Sequence, residues 1–331
     1  MFSRQAIWSM LASALGLLTA ATSFAQLTLP PQTKGTGVQI IPVSLSNEHV
    51  AATVNGEKIL IGEVKKILEQ RPVAVALTEE QKKQLRQAAL EVLVEDLIMR
   101  QYLSKNVPKV DQTEFNKEVQ ELAEALKKQM KTIDAFLKES GQTQDQLSRD
   151  IAARLQWKTL LQRFCPDDKA KVYYDANKLF FDKVFVSASH ILIKVDAKAT
   201  KDQRDRAMQQ MLVWRQEIVS GKAKFEDIAK KNSDCTSKDK GGDIGQFPCK
   251  FVVLPEFGKA AFAMKVGEIS DVVQSTAGYH LIKVTDRTPG EASNFAVLKE
   301  TVREVWAQDE DLYQRVLVDQ RAKGEIKVLM P

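Results

Sequence analysis

The chain has 331 residues, 44% of them hydrophobic and 27% charged, with a formal net charge of +5 at pH 7. That apolar fraction supports a packed core, and the charge is too small and too evenly spread for a disordered chain or a nucleic-acid binder. The length suggests two or three domains.

Residues 1–25 read as a secretory signal. Arg4 supplies a positive start, Ala6 to Ala21 an apolar stretch, and Ser23-Phe24-Ala25 a small-x-small cleavage site before Gln26. The apolar run is shorter than the roughly 20 residues a membrane span needs, and no cysteine follows it for a lipid anchor. Removing it takes away one arginine and no acid, leaving a net charge of +4. The expected destination is the periplasm or cell envelope, with no membrane span after cleavage. Export implies an oxidising compartment, yet only Cys165, Cys235 and Cys249 remain, and an odd count leaves at least one thiol free or paired to another molecule.

Residues 26–48 are rich in Pro, Gly, Thr and Ser and read as a flexible leader. Val50 to Leu60 reads as two short strands around an Asn55-Gly56 turn. Helices then dominate to about residue 180. Leu90, Leu93, Val94, Leu97 and Ile98 make one apolar stripe. Asp111 with Glu114 starts a helix whose face carries Phe115, Val119, Leu122 and Leu126. Thr143 with Gln146 starts another, carrying Leu147, Ile151 and Leu155 and ended by Cys165-Pro166. Such stripes serve ordinary core packing or a groove for client chains, and periodicity does not separate the two.

After Lys183 the pattern changes. Val186 to Val195 reads as a strand. Thr200 and Gln203 cap a helix that buries Ala207, Met211, Trp214 and Ile218 and stops at Gly221. Phe225 to Lys231 and Phe257 to Met264 read as short helices, with a Gly-rich loop to about Gly245 between them. Ile269–Gln274 and Tyr279–Val284 read as closing strands. Asp286-Arg287-Thr288-Pro289-Gly290 is linker chemistry. Phe295 to Lys323 reads as one amphipathic helix, and Ile326 to Leu329 as a terminal strand. This tail is too small to be a domain and is expected to pack back on the first helical domain. The fold class is α+β: a small antiparallel sheet flanked by helices, inserted in or following a mostly helical domain.

Two of the chain's three histidines, His190 and His280, sit in apolar β-type runs at either end of this α+β segment, with Cys235 between them. Residues 187–287 resemble a parvulin-type peptidyl-prolyl cis-trans isomerase domain. The matching pieces are Ser189-His190-Ile191-Leu192, Ser233-Asp234-Cys235, Gly242-Asp243-Ile244-Gly245 and Pro255-Glu256-Phe257, followed by Ala261-Phe262-Ala263, Gly267-Glu268-Ile269-Ser270 and Gly278-Tyr279-His280. Residues 50–180 with 295–330 resemble, more loosely, the helical chaperone part of exported SurA-like and PrsA-like folding factors, through the Val54-Asn55-Gly56-Glu57 entry and Tyr173-Tyr174-Asp175-Ala176-Asn177. The implied division is a helical domain over 49–183, with 291–331 packing back on it, and an isomerase domain over 187–287.

The resemblance implies roles. Ile244 and Phe257 wall an apolar proline pocket, completed by a residue at Val252 or Val253, of which Val253 is taken. His190 and His280 lie side by side under the site, Cys235 stands at its polar side, and Ser275 joins the histidine network. A strand histidine is usually a satisfied core residue, so the pair serves the architecture or the chemistry. No cofactor is implied. Partners would be unfolded or nascent exported polypeptides containing X-Pro bonds, with no nucleic acid. An alternative is a client-binding holdase chaperone whose isomerase domain turns over weakly or not at all. A Cys235–His280 hydrolase lacks an orienting motif, and a zinc site lacks paired C-x-x-C spacing. A bridge between Cys235 and Cys249 would remove the site thiol.

Overall fold

The computed structural model describes residues 46–69 and 77–330. The signal segment, and the leader up to residue 45, lie outside the described residues. The chain forms two compact units: one ends at Ala170 and resumes at Glu300, and the other is Lys171–Lys299.

In the first unit, β1 (Val50–Val54) and β2 (Glu57–Leu60) form a hairpin turned by Asn55 and Gly56, both at positive φ. Five helices follow: α1 (Ile61–Glu69), α2 (Glu79–Asn106), α3 (Gln112–Lys127), α4 (Ile133–Ser140) and α5 (Gln144–Phe164). The caps explain the starts. Thr78 with Gln81 and Thr143 with Gln146 form reciprocal capping boxes, while Asp111 accepts the N–H groups of Thr113 and Glu114. The stripes face inward: Leu90, Val94, Leu97 and Ile98 of α2 and Ile151 and Leu155 of α5 are buried.

In the second unit, α6 (Asp167–Ala176, from Lys171 on) and the short α7 (Lys178–Phe181) lead to β3 (Phe185–Lys194). Then come α8 (Lys201–Val219), α9 (Phe225–Asn232), a 3-10 turn at Thr236–Lys240, β4 (Asp243–Pro248), α10 (Pro255–Ala263), β5 (Val273–Ser275) and β6 (Gly278–Thr288). The sheet is antiparallel in the order β4-β3-β6-β5. Its central pair is buried on both faces, which is why β3 and β6 read as apolar runs without alternation. Val186, Ala188, Ile282 and Val284 pack under Phe247, Phe257 and Phe262 on one face. Ile191, Tyr279 and Leu281 pack on the other against Ala207, Met211 and Ile218 of α8 and Phe225 and Ile228 of α9. Where the unit begins and ends, the Asp182 carboxylate accepts the N–H and hydroxyl of Ser293 (2.8 and 2.6 Å) and pairs with Lys178 (2.6 Å). These bonds hold the Asp182 carboxyl down to about 2.

Four sequence expectations are corrected. The Gly-rich stretch is not loop as far as Gly245: β4 begins at Asp243 and pairs with β3. This needs glycine at 242, where a Cβ would collide with the His190 carbonyl. Asp286 to Thr288 is the end of β6 rather than linker, paired with Ser187 to Phe185. The expected strand Ile269–Gln274 shrinks to a single bridge at Ile269 and β5, because the Ser270 hydroxyl takes the Ile282 N–H (2.9 Å) that a regular ladder would use.

The fourth correction is the tail. It is two helices, α11 (Phe295–Asp309) and α12 (Leu312–Lys323), broken at Asp311, whose φ is +50°. Three acidic residues in a row, Asp309 to Asp311, oppose the negative end of α11 and favour a stop there. Within the first unit, α12 lies on α2, where Arg321 pairs with Glu91 and Glu95. The last strand, β7 (Ile326–Val328), pairs antiparallel with β1, giving a three-stranded sheet in the order β2-β1-β7.

Candidate functional site

The register of β3 against β6 creates the centre of the site. His190 lies opposite Ile282 and Leu192 opposite His280, so the two histidines are diagonal neighbours on one face of the sheet. Their rings stack at 5.6 Å with 17° between planes, and the two Nδ1 atoms are 3.3 Å apart. The Phe257 ring of α10 stands with T-shaped geometry against both, 5.5 Å from each.

The histidine pair is wired at one end only. Ser275 Oγ, on β5, lies 2.7 Å from His280 Nε2 and accepts the N–H of Ala277 at 3.1 Å. The Ser275 O–H also has the Gly278 carbonyl oxygen within 3.5 Å as an acceptor. The ring nitrogen at the other end of the stacked pair is His190 Nε2. This Nε2 is buried with no hydrogen-bond partner. Burial pushes both imidazoles down to about 4, and for His280 the neighbouring His190 adds to it. Both rings are therefore neutral at neutral pH, and the floor of the site is uncharged.

Cys235 sits on a loop bolted to β3. The Ser233 hydroxyl accepts the N–H groups of Leu192 (3.1 Å) and Cys235 (3.3 Å). The Asp234 N–H donates to Leu192 O, and its carboxylate accepts the Lys194 N–H, each at 2.8 Å. Burial raises the pKa of the half-buried Cys235 thiol, but donors from Ser237 and Thr236 together outweigh it and hold the thiol below its ordinary value. Neither Cys235 nor Cys249 is in a disulfide.

Ile244 of β4 and Val253 of the loop before α10 pack against the cluster holding Phe257, whereas Val252 is exposed. His190, His280 and Phe257 are thus in mutual contact, with Ser275 bonded to His280 and with Ile244 and Val253 on the cluster that holds Phe257. Cys235 is tied to the strand that carries His190 rather than bonded to either imidazole.

Several positioning residues went unread in the sequence. Arg287 donates from Nη2 to the Phe262 and Met264 carbonyls (2.8 and 3.0 Å), closing the C-terminal end of α10. Gly258 lets the loop at Cys249 lie against α10, since a Cβ there would be 2.7 Å from the Cys249 carbonyl oxygen. Ser233 fixes the loop bearing Cys235. The signal for Arg287 was a lone arginine in an apparent linker, which sequence alone cannot connect to a helix end more than 20 residues away.

Comparisons with known proteins follow the same division. Residues 190–286 match the PPIC-type PPIASE domain, and residues 2–161 match the SurA-like N-terminal domain. A foldase protein PrsA of Caldanaerobacter subterraneus subsp. tengcongensis is 30% identical over 273 residues, covering 75% of this chain and 78% of that protein. The foldase protein PrsA 2 of Bacillus anthracis is 30% identical over 245 residues, covering 72% and 74%. The peptidyl-prolyl cis-trans isomerase Pin1 of Malus domestica is 43% identical over 113 residues, covering 30% of this chain and 93% of that protein.

Proposed function

We propose the working of the site on the premise that this chain belongs to the PrsA-type foldases and is a peptidyl-prolyl cis-trans isomerase acting in protein folding. The observation that carries the reading is the neutral histidine pair roofed by Phe257.

An X-Pro bond resists rotation by roughly 18–20 kcal/mol because twisting destroys amide resonance, and uncatalysed rotation takes tens to hundreds of seconds. The reaction makes and breaks no covalent bond. A catalyst has to hold the ring, exclude water and favour the twisted amide over both planar forms. Phe257, Ile244 and Val253 hold the proline ring in an apolar pocket, where desolvation weakens the charge-separated resonance form. Cys235 faces the twisting amide as a polarisable thiol and forms no bond to it. His190 and His280 act as positioning residues: neutral, stacked and tied to Ser275, they set the pocket floor without serving as acid or base at neutral pH.

Domain roles follow. Residues 1–25 direct export to the periplasm or envelope and 26–48 form a leader. Residues 49–170 with 300–331 bind unfolded exported polypeptides, and segment 187–287 of the second unit isomerises their X-Pro bonds. The test is an X-Pro isomerisation assay on the full chain beside Phe257→Leu and Cys235→Ala. Turnover that falls at least about tenfold in both supports the assignment. Full turnover in both variants overturns the site, and no turnover in a parent chain that still prevents client aggregation leaves the holdase reading.

A further inference from the structure

The loop Cys249–Leu254 is fastened at both ends to the wall of the pocket. Cys249, Val253 and Leu254 pack on the Phe257 cluster, and the Cys249 carbonyl rests on Gly258, the residue after Phe257. The tip does the opposite. Phe251 is 41% exposed and Val252 66% exposed. Phe251 also has φ +68°, a left-handed conformation costly for a bulky residue. Such strain persists only where the surroundings impose it, and it gathers at sites that bind.

The surroundings here are aromatic. Phe180 meets Phe251 edge-on at 5.6 Å and is itself held edge-on by Phe181 at 5.4 Å. The neighbouring Lys250 ammonium lies 5.4 Å from the centre of the Tyr173 ring. The strained backbone thus holds a large apolar side chain out against a fixed aromatic partner, where burial would ordinarily have drawn it in.

We propose that Phe251, Val252 and Phe180 form a second apolar subsite, which takes a bulky apolar side chain of the client two residues from the proline. The inference rests on the isomerase reading above and deepens it to a substrate preference. The geometry supplies the spacing. Phe251 is two residues from Val253, hence at most about 7 Å along the chain. An extended peptide repeats its same-face side chains every two residues, roughly 6.6 Å apart. A client with its ring against Val253 and Phe257 that runs on along the loop would bring its next same-face side chain within reach of Phe251. The subsite is continuous with the proline pocket through Val253, and its chemistry suits the apolar stretches that only unfolded chains expose.

The test is exchange NMR of cis and trans forms, with the full chain and short peptides containing one Ala-Pro bond. Leu, Phe, Ser or Glu is placed two residues before or two residues after the proline. The expected result is a preference of roughly tenfold in kcat/KM for Leu and Phe over Ser and Glu on one side of the proline. Phe251→Gly, which relieves the strained φ, and Val252→Ser, at an exposed position, should reduce that preference to about twofold while leaving the Ser and Glu peptides unchanged. Turnover without any preference, or a preference that survives both variants, overturns the subsite alone. No turnover of any peptide by the parent chain overturns the isomerase reading and the subsite with it.

Discussion

Acid should loosen the isomerase unit through its two central histidines. A free imidazole has a pKa of 6.5, whereas the folded rings of His190 and His280 sit at about 4. The folded values are depressed, so the unfolded chain binds protons more readily as pH falls. Stability is therefore constant above about pH 7 and declines from pH 6.5 toward 4. At pH 5 an unfolded imidazole is almost fully protonated while the folded ring is almost wholly neutral, so each histidine gives up about 2 kcal/mol relative to pH 8. The pair together forfeits about 4 kcal/mol, a large share of the roughly 5–15 kcal/mol that holds a domain folded. The carboxyl of Asp182, held at about 2, stays ionised throughout this window and does not mask the effect.

Urea unfolding at pH 8 and pH 5 would read this, followed by the fluorescence of Trp214, the tryptophan within residues 171–299. Ring-proton NMR of the histidines would give the two pKa values directly. Equal stability at the two pH values, or both rings titrating near 6.5, would refute the buried neutral pair. The first unit should respond with the opposite sign. Burial, aided by Asp96, raises Asp150 to about 6, and burial, aided by Glu300, raises Glu304 to about 7. Their stabilising contribution is complete below about pH 4 and is lost as pH rises through those values. The tryptophans of that unit, Trp157 and Trp306, should therefore report a unit that gains stability where the isomerase unit loses it.

Three further outcomes are expected. Phe257→Ala removes a buried ring from against both histidines and should cost about 3–5 kcal/mol in unfolding free energy, whereas Phe257→Leu should retain the fold and lose isomerase turnover. Gly258→Ala should displace the Cys249–Leu254 loop, since its Cβ would stand 2.7 Å from the Cys249 carbonyl oxygen. Turnover should then fall while far-ultraviolet circular dichroism is unchanged, and normal activity would show that the loop does not shape the pocket. The Cys235 thiol should be alkylated at pH 7.5 faster than the buried Cys165, whose pKa burial raises, and mass spectrometry of the labelled peptides would rank them.

What the residues disclosed on their own was mostly local. Capping boxes at Thr143–Gln146 and Thr200–Gln203, and the Asn55-Gly56 turn, appear where read, because each needs only a few adjacent residues to satisfy its own backbone donors. The parvulin likeness was legible because its motifs recur in order along the chain, and it named the residues that end up around Phe257 before any contact was known. Legibility failed where a distant partner decides. Asp286 to Thr288 look like linker until β3 supplies the ladder that makes them strand. Asp243 looks like loop until Gly242 lets the chain pass over His190. The tail looks like one helix until Asp311 turns it so that Leu312, Val316 and Leu317 can be buried.

The chemistry divides along the same line. The likeness of its ordered motifs to the parvulin family marked an isomerase segment that carries two strand histidines and a thiol. Only the tertiary structure decided that the imidazoles stack, share a line of hydrogen bonds with Ser275, and stay neutral beneath Phe257. Only it held Phe251 exposed at a strained φ. The physical reason is that desolvation and ring contact belong to pairs of residues far apart in the chain, and their register exists only once β3 and β6 have met.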